Sequence, residues 1–276
     1  MNIKIKLWSK FNLTELKNIY SLWQNCFYED TWEDFRSYLK WRLYKGYFYG
    51  LYDDNDHLIS TASLSPELIK IGDKWIKAGF IVGVGTKTEE RHKGYSRRLL
   101  TYLAQDAQNK GLNFLLLSTH IPDFYENLNY VAYGLHYCRE YTPRQGDVEI
   151  NPLHKKDLQQ MIFLWEKYAG CGTLKRNRRI MESKLKESLK AVGLYKDKEL
   201  IGYSLQEFPG DTWSEVICPQ ELIDYLPPLG EKSYFVYAGS IDHLSLADKF
   251  CLRCTYQMIL AFEDLPIQNF CCRDDY

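Results

Sequence analysis

Nothing in this 276-residue sequence approaches the roughly 20 consecutive apolar residues needed to cross a bilayer, and runs such as Met161 to Trp165 are far shorter. Met1 to Lys10 lacks a secretory apolar region, so a cytoplasmic protein with no membrane partner is expected. Neither sign of charge is in excess. Lys plus Arg number 35 against 36 for Asp plus Glu, a net charge of −1, which excludes a general attraction to nucleic acid. Cys251-Leu252-Arg253-Cys254 has the spacing of a metal-ligand pair, with His243 and Cys271-Cys272 not far off, but a second C-x-x-C is missing. A strand reading of Cys251 to Ala261 also turns neighbours three apart to opposite faces. Reduced cysteines and no metal are therefore expected.

What is present is enough apolar material, 45% of residues, to bury a sizeable core, in a length that suggests about two domains. The first half reads as strand Ile3 to Trp8, helices Leu13 to Phe27 and Trp32 to Tyr44, and strands Gly46 to Tyr52 and His57 to Leu64 around an Asp53-Asp54-Asn55-Asp56 turn. Strand Asn113 to Thr119, a helix near Phe124 and a last strand near Leu135 to Tyr141 close that half. Pro143-Arg144-Gln145-Gly146 reads as a linker. The opening order then recurs: Val148 to Asn151, helices Lys155 to Tyr168 and Arg178 to Leu189, strands Gly193 to Tyr195 and Leu200 to Phe208. The expected division is 1–142 and 147–276.

The most informative stretch lies between. Trp75 to Thr86 alternates as a strand, with Ile76, Ala78, Phe80, Val82 and Val84 on one face and Gly79, Ile81, Gly83 and Gly85 on the other. Glycines gathered on one face suggest that a ligand or another backbone lies against it. Arg91-His92-Lys93-Gly94-Tyr95-Ser96 follows. A helix comes next, with Leu99, Leu100, Leu103, Ala104 and Ala107 on one stripe and Gly111 to close it. The first N–H groups of such a helix have no intrahelical acceptor and carry partial positive charge, so the turn suits a pyrophosphate. Gly94 allows the tight turn and Ser96 a close approach. Arg91, His92, Lys93, Arg97 and Arg98 add positive charge, although a glycine turn with a solvated basic face would look the same.

Val84-Gly85-Thr86-Lys87-Thr88-Glu89-Glu90-Arg91-His92-Lys93-Gly94-Tyr95-Ser96 resembles the acyl-CoA signature of the GNAT N-acetyltransferase superfamily, a Gln or Arg followed by x-x-Gly-x-Gly/Ala. Ser96 stands for the final small residue and Thr88 where proline is common. Phe124-Tyr125-Glu126-Asn127-Leu128-Asn129-Tyr130 resembles the family's F-Y-x-x-x-G-F segment. Asn129 replaces its glycine, and asparagine tolerates the same left-handed backbone.

The resemblance implies a mixed α+β and α/β fold: two GNAT-like domains, each a twisted, mostly antiparallel sheet flanked by helices. The second would be a degenerate copy without the cofactor signature, walling the acceptor cleft. It implies that Val82, Val84 and Thr86, on the splayed strand edge, hold the pantetheine arm of acetyl-CoA or a longer acyl-CoA. The phosphates would lie on Arg91 to Ser96, and Tyr125 would protonate the leaving thiolate. His120, at a strand end, is a candidate base or water-orienting group, or else a loop residue with a local hydrogen bond. Glu29, Asp30 and Glu33 could face the acceptor or be solvated.

The tandem arrangement resembles the enhanced-intracellular-survival branch, whose third region, similar to a sterol carrier protein, this length does not accommodate. In that branch the C-terminal carboxylate serves as base, here Tyr276; a frayed acidic tail, Arg273 to Tyr276, is the other reading. Trp23, Phe27, Tyr28, Trp32, Phe35, Tyr38 and Trp41 could line a cleft for a cationic amine or a long acyl chain, or pack in the core. Lys175, Arg176, Arg178 and Arg179 read as a solvated helix start.

The expected function is transfer of an acyl group from acyl-CoA to a primary amine of a small molecule or peptide. An aminoacyl-tRNA-dependent transferase and a non-catalytic acyl-CoA-binding module stay open, as does a homo-oligomer.

Overall fold

In the computed structural model residues 3–8, 12–42, 46–132, 137–170, 172–237, 251–252 and 256–262 are described. The chain begins with strand β1 (Lys4–Trp8), helices α1 (Leu13–Cys26) and α2 (Trp32–Arg42), and strands β2 (Tyr47–Tyr52), β3 (Leu58–Ile71) and β4 (Lys74–Thr86). Helix α3 (Tyr95–Asn109), β5 (Phe114–Thr119), α4 (Pro122–Glu126), β6 (Val131–Ala132) and β7 (Tyr137–Tyr141) follow. Then come β8 (Glu149–Pro152), α5 (Leu158–Tyr168), α6 (Arg178–Glu187), β9 (Lys190–Lys196), β10 (Glu199–Gln206) and β11 (Thr212–Ile217). Last are β12 (Ser233–Tyr237), β13 (Cys251–Leu252) and β14 (Tyr256–Ala261). The chain divides into two compact units, 1–68 with 76–132 and 256–265, and 69–75 with 133–255 and 266–276.

The first unit is a seven-stranded sheet in the order β1-β2-β3-β4-β5-β14-β6, with β4 and β5 parallel. β1/β2, β2/β3, β5/β14 and β14/β6 pair antiparallel. Helix α1 starts at a capping box in which Glu15 N donates to Asn12 Oδ1 and Asn12 N to Glu15 Oε2, each at 2.9 Å. Alternation along β2 then fixes the layers. Phe48 and Tyr52 pack with Ile19, Leu22, Trp23, Phe35 and Leu39 of α1 and α2, while Tyr49 and Leu51 pack with Leu99, Leu100, Leu103 and Ala107 of α3. Helices therefore cover both faces, and each of these large buried side chains contributes about 1.5–3 kcal/mol. Gly111, at φ +75°, ends α3 as the sequence suggests.

The second unit repeats this order. Its sheet runs β8-β9-β10-β11-β12-β7-β13, with β11 and β12 parallel, so β8 to β12 match β1 to β5, and β7 takes the place that β14 takes in the first unit. The strand at 137–141, expected to end the first half, thus belongs to the second sheet, and strand 256–261 belongs to the first. Each sheet draws one strand from beyond the turn at 143–146. Such pairing between strands far apart in sequence leaves no local pattern to read. Nor is 143–146 a bare linker: Arg144 N donates to Asp224 O at 2.7 Å, and its guanidinium lies 4.5 Å from the Tyr225 ring centre.

Where the first sheet opens, the second is closed. Pairing of β4 with β5 stops at Phe80–Leu116, leaving 81–86 and 117–119 apart, whereas β11 stays paired with β12 through Val216–Tyr237. In place of α3 the second unit has a short 3-10 segment, Gln220–Tyr225. Trp213, fully buried, donates its indole N–H to Tyr141 Oη at 2.9 Å and to Pro227 O at 3.1 Å.

Arg176 departs from the solvated reading of its cluster. It is 2% exposed, forms a two-bond ion pair with Glu215 at 2.7 Å for each bond, and stacks 3.4 Å from the Trp165 ring centre. Tyr203 Oη donates to the same carboxylate at 3.1 Å. Arg178 and Arg179 are exposed. Removing one partner strands a buried charge, so Glu215→Ala is expected to destabilise the protein by about 3–5 kcal/mol, measured by urea unfolding.

Candidate functional site

The turn before α3 is set by two left-handed residues, His92 at φ +63° and Gly94 at φ +80°. Gly94 is the N-cap, and the first bond of the helix runs from Arg98 N to Gly94 O at 3.0 Å, so the amides of Ser96 and Arg97 precede any i−4 acceptor. A Cβ on Gly94 would meet nothing within 4 Å. The glycine is thus required by its backbone angle rather than by packing, and the space in front of the turn is open.

The turn is tied to β4 by hydroxyls. Thr86 Oγ1 bonds Ser96 Oγ at 2.5 Å and Ser60 Oγ at 2.9 Å, and Ser60 Oγ donates to Gly85 O at 2.7 Å. Ser96 therefore uses the oxygen that a glycine or alanine would lack. The guanidinium of Arg91 is turned away from the helix start: it donates to Asn25 O at 3.1 Å and Thr86 O at 3.3 Å. That supplies α1, whose last turn carries no basic residue, with a cation at its negative end. Lys93 pairs with Glu90 at 3.0 Å.

A cavity of about 530 Å³ joins these parts, lined from α1 by Cys26 and its C-cap neighbour Phe27, from β4 by Val84, Gly85 and Thr86, and by Ile121, Phe124 and Tyr125 around α4. Of the residues singled out in the sequence, it gathers Val84, Thr86, Arg91, His92, Gly94, Tyr95, Ser96 and Tyr125. Val82, Lys93 and His120 are not among the lining residues. Val82 O accepts from Ser63 Oγ at 2.8 Å, and His120 is exposed just beyond β5. Tyr276, Trp41's side chain, His243, Cys254, Cys271 and Cys272 lie outside the described residues.

Tyr125 is 6% exposed and sits edge-on to Phe124 and Tyr130 at 4.9 and 5.7 Å. Burial pushes its phenol up to about 12, so it is protonated across the neutral range. Asn129, at φ +66°, adopts the left-handed backbone expected of it.

The glycine face of β4 needs a correction. Gly83 has φ +65° and shifts the alternation by one, so Ile81 and Val84 pack together on the α3 side while Gly83 and Gly85 turn to α1. What lies against those two glycines is protein: a Cβ on Gly83 would sit 2.5 Å from Trp23 Cζ3, and one on Gly85 3.0 Å from Cys26 Sγ. Gly79 likewise faces Leu64 and Leu115. Among its described members the aromatic set of α1 and α2 is mostly core, with Trp23 and Phe35 buried and Phe27 alone on the cavity; Tyr28 is 81% exposed. Glu29 and Glu33 are exposed, and Asp30 accepts the indole N–H of Trp23 at 2.7 Å. Phe27 was among the aromatics read as able to line a cleft, whereas sequence reading missed Cys26; the glycine at 85, which admits α1 so close, was its signal. Among the described residues no cluster of His, Cys, Asp and Glu could hold a metal, and no helix is long and apolar enough to cross a membrane.

Residues 9–132 match the family model described as an acetyltransferase (GNAT) domain. Over 95% of its length it superposes on a conserved protein from Enterococcus faecalis V583, covering 72% of that chain with a TM-score of 0.75 at 14% identity. A GCN5-related N-acetyltransferase from Kribbella flavida gives 0.70 at 15% identity, with 93% and 71% of the two chains covered. Eis1 from Mycobacterium abscessus gives 0.65 at 12%, with 92% and 73% covered. At such identities the likeness is one of fold, and it extends over both units. No protein with a curated description matches the sequence.

Gly83→Ala would force a side chain into a left-handed backbone against the Trp23 ring. A loss of about 1–3 kcal/mol is expected, seen as a lowered melting temperature.

Proposed function

We propose that the protein is an acyl-CoA-dependent N-acyltransferase, with acetyl-CoA as donor and a primary amine of a small molecule or peptide as acceptor, reacting by direct attack in a ternary complex. One observation carries this reading: β4, unpaired with β5 beyond Phe80, borders at Val84 to Thr86 a cavity that is also bounded by the Gly94 turn and walled by Tyr125. The amides at the start of α3 suit a diphosphate, and Arg97 on the same lining adds positive charge. The open edge of β4 between 81 and 86 offers main-chain groups to an amide-bearing tail, as a neighbouring strand would use them.

In this scheme the amine nitrogen attacks the thioester carbonyl and the C–N bond forms as the C–S bond breaks; the Tyr125 hydroxyl gives its proton to the departing sulfur, and the proton that the new amide nitrogen sheds returns to the phenolate through solvent. A phenol raised to about 12 is a weaker acid than an ordinary thiol; burial also raises a thiol formed beside it, which narrows the difference between them. Glu90, the carboxylate of the lining, is paired with Lys93, so the amine has to arrive uncharged. The apolar flank of Phe27, Ile121 and Phe124 favours that by desolvation. The scheme gives His120 no step.

Tyr125→Phe is expected to lower turnover about 10²-fold or more while CoA affinity persists. Unchanged turnover would take the acid role from Tyr125, and CoA binding without turnover by the wild type would mark a binding module. Gly94→Glu meets no neighbouring atom but puts a side chain on a left-handed backbone, so in thermal melts it should cost only about 1–2 kcal/mol of stability, as Gly94→Ala should, and yet, unlike Gly94→Ala, abolish CoA binding in calorimetry, its carboxylate lying where phosphate would; unchanged affinity of the folded variant would refute the placement.

A further inference from the structure

We infer that Trp23, backed by Tyr38, sets the length of acyl chain the site accepts and confines it to about acetyl size; this rests on the acyl-CoA reading above. A donor anchored by its phosphates at the Gly94 turn and laid along the open edge of β4 ends in the crotch where β4 leaves β5, beside residues 81–83. On β4 the cavity is lined by residues 84–86 and goes no further along the strand. At residue 83 the α1 side is shut. The direction a Cβ would take from Gly83 runs into Trp23 Cζ3 at 2.5 Å, Trp23 Cη2 at 3.1 Å and Tyr38 Oη at 3.1 Å.

This wall is held rather than lightly packed. Trp23 is 5% exposed and its indole N–H is fixed on Asp30 at 2.7 Å. Its ring lies 4.4 Å from Phe27, 4.6 Å from Tyr38 and 5.3 Å from Phe35. The Tyr38 hydroxyl bonds Ser63 Oγ, which donates to Val82 O at 2.8 Å, so the stack is anchored to β4 itself. A methyl beyond the thioester carbonyl needs little room. A chain of several carbons directed at α1 would have to displace a core indole together with its partners, and well-packed cores resist such displacement.

The test is calorimetric titration of the whole protein with CoA, acetyl-CoA and octanoyl-CoA. The wild type is expected to bind octanoyl-CoA at least about tenfold more weakly than acetyl-CoA. Trp23→Leu, checked by melting temperature, should recover about tenfold for octanoyl-CoA while its affinity for CoA stays within threefold of wild type. Equal or tighter binding of octanoyl-CoA by the wild type overturns the inference, and this holds even if the variant does not fold. A folded Trp23→Leu with the wild-type preference overturns it too. Failure of the underlying reading would look different, since the wild type would then bind none of the three.

Discussion

The close approach of α1 to β4 is the contact on which the first unit depends. It is possible because residues 83 and 85 have no side chains, and because residue 83 takes a left-handed backbone that shifts the strand's alternation by one position. Before the shift Ile81 faces α3; after it Val84 does, leaving Gly83 and Gly85 to receive Trp23 and Cys26. The same strand leaves its parallel neighbour at Phe80, just ahead of the shift. Backbone irregularity, helix packing and the opening of the sheet are thus parts of one local arrangement. Arg91 completes it by tying the last turn of α1 to Thr86.

The second unit shows the same strand order with that arrangement missing. Its parallel pair stays joined, an indole fills the interior beside it, and a 3-10 segment stands where a long helix would present its amides. A shared topology has therefore been put to two physical uses, one sheet opened to make a cavity and one sealed. Arg176 and Glu215 illustrate the second. Inside its core the Arg176 guanidinium and the Tyr203 hydroxyl both donate to the Glu215 carboxylate.

Much of this was legible in the sequence because it is governed by short-range rules. The stripe of Leu99, Leu100, Leu103 and Ala107, the stop at Gly111 and the left-handed Asn129 each follow from a few neighbouring residues, and the structure has them as expected. The glycines of β4 were legible as a close approach but not as to what approaches. Ligand and helix leave the same mark on a strand, and only the fold says which one is present. Arg91 was read for its charge, whereas its placement depends on one carbonyl 5 residues away, that of Thr86, and one 66 residues away, that of Asn25. The exchanged strands were the least legible feature. An apolar segment such as 256–261 declares that it will be buried without declaring in which sheet.

That exchange has a consequence for synthesis. On the ribosome, β5 and β6 emerge long before β14, the strand that pairs with both. Until about residue 260 has cleared the exit tunnel, the nascent first sheet offers two unfilled edges flanking a gap. A chaperone that shields apolar strand edges would have its longest engagement there, and a message cut short ahead of residue 256 would yield a product with that gap permanently open.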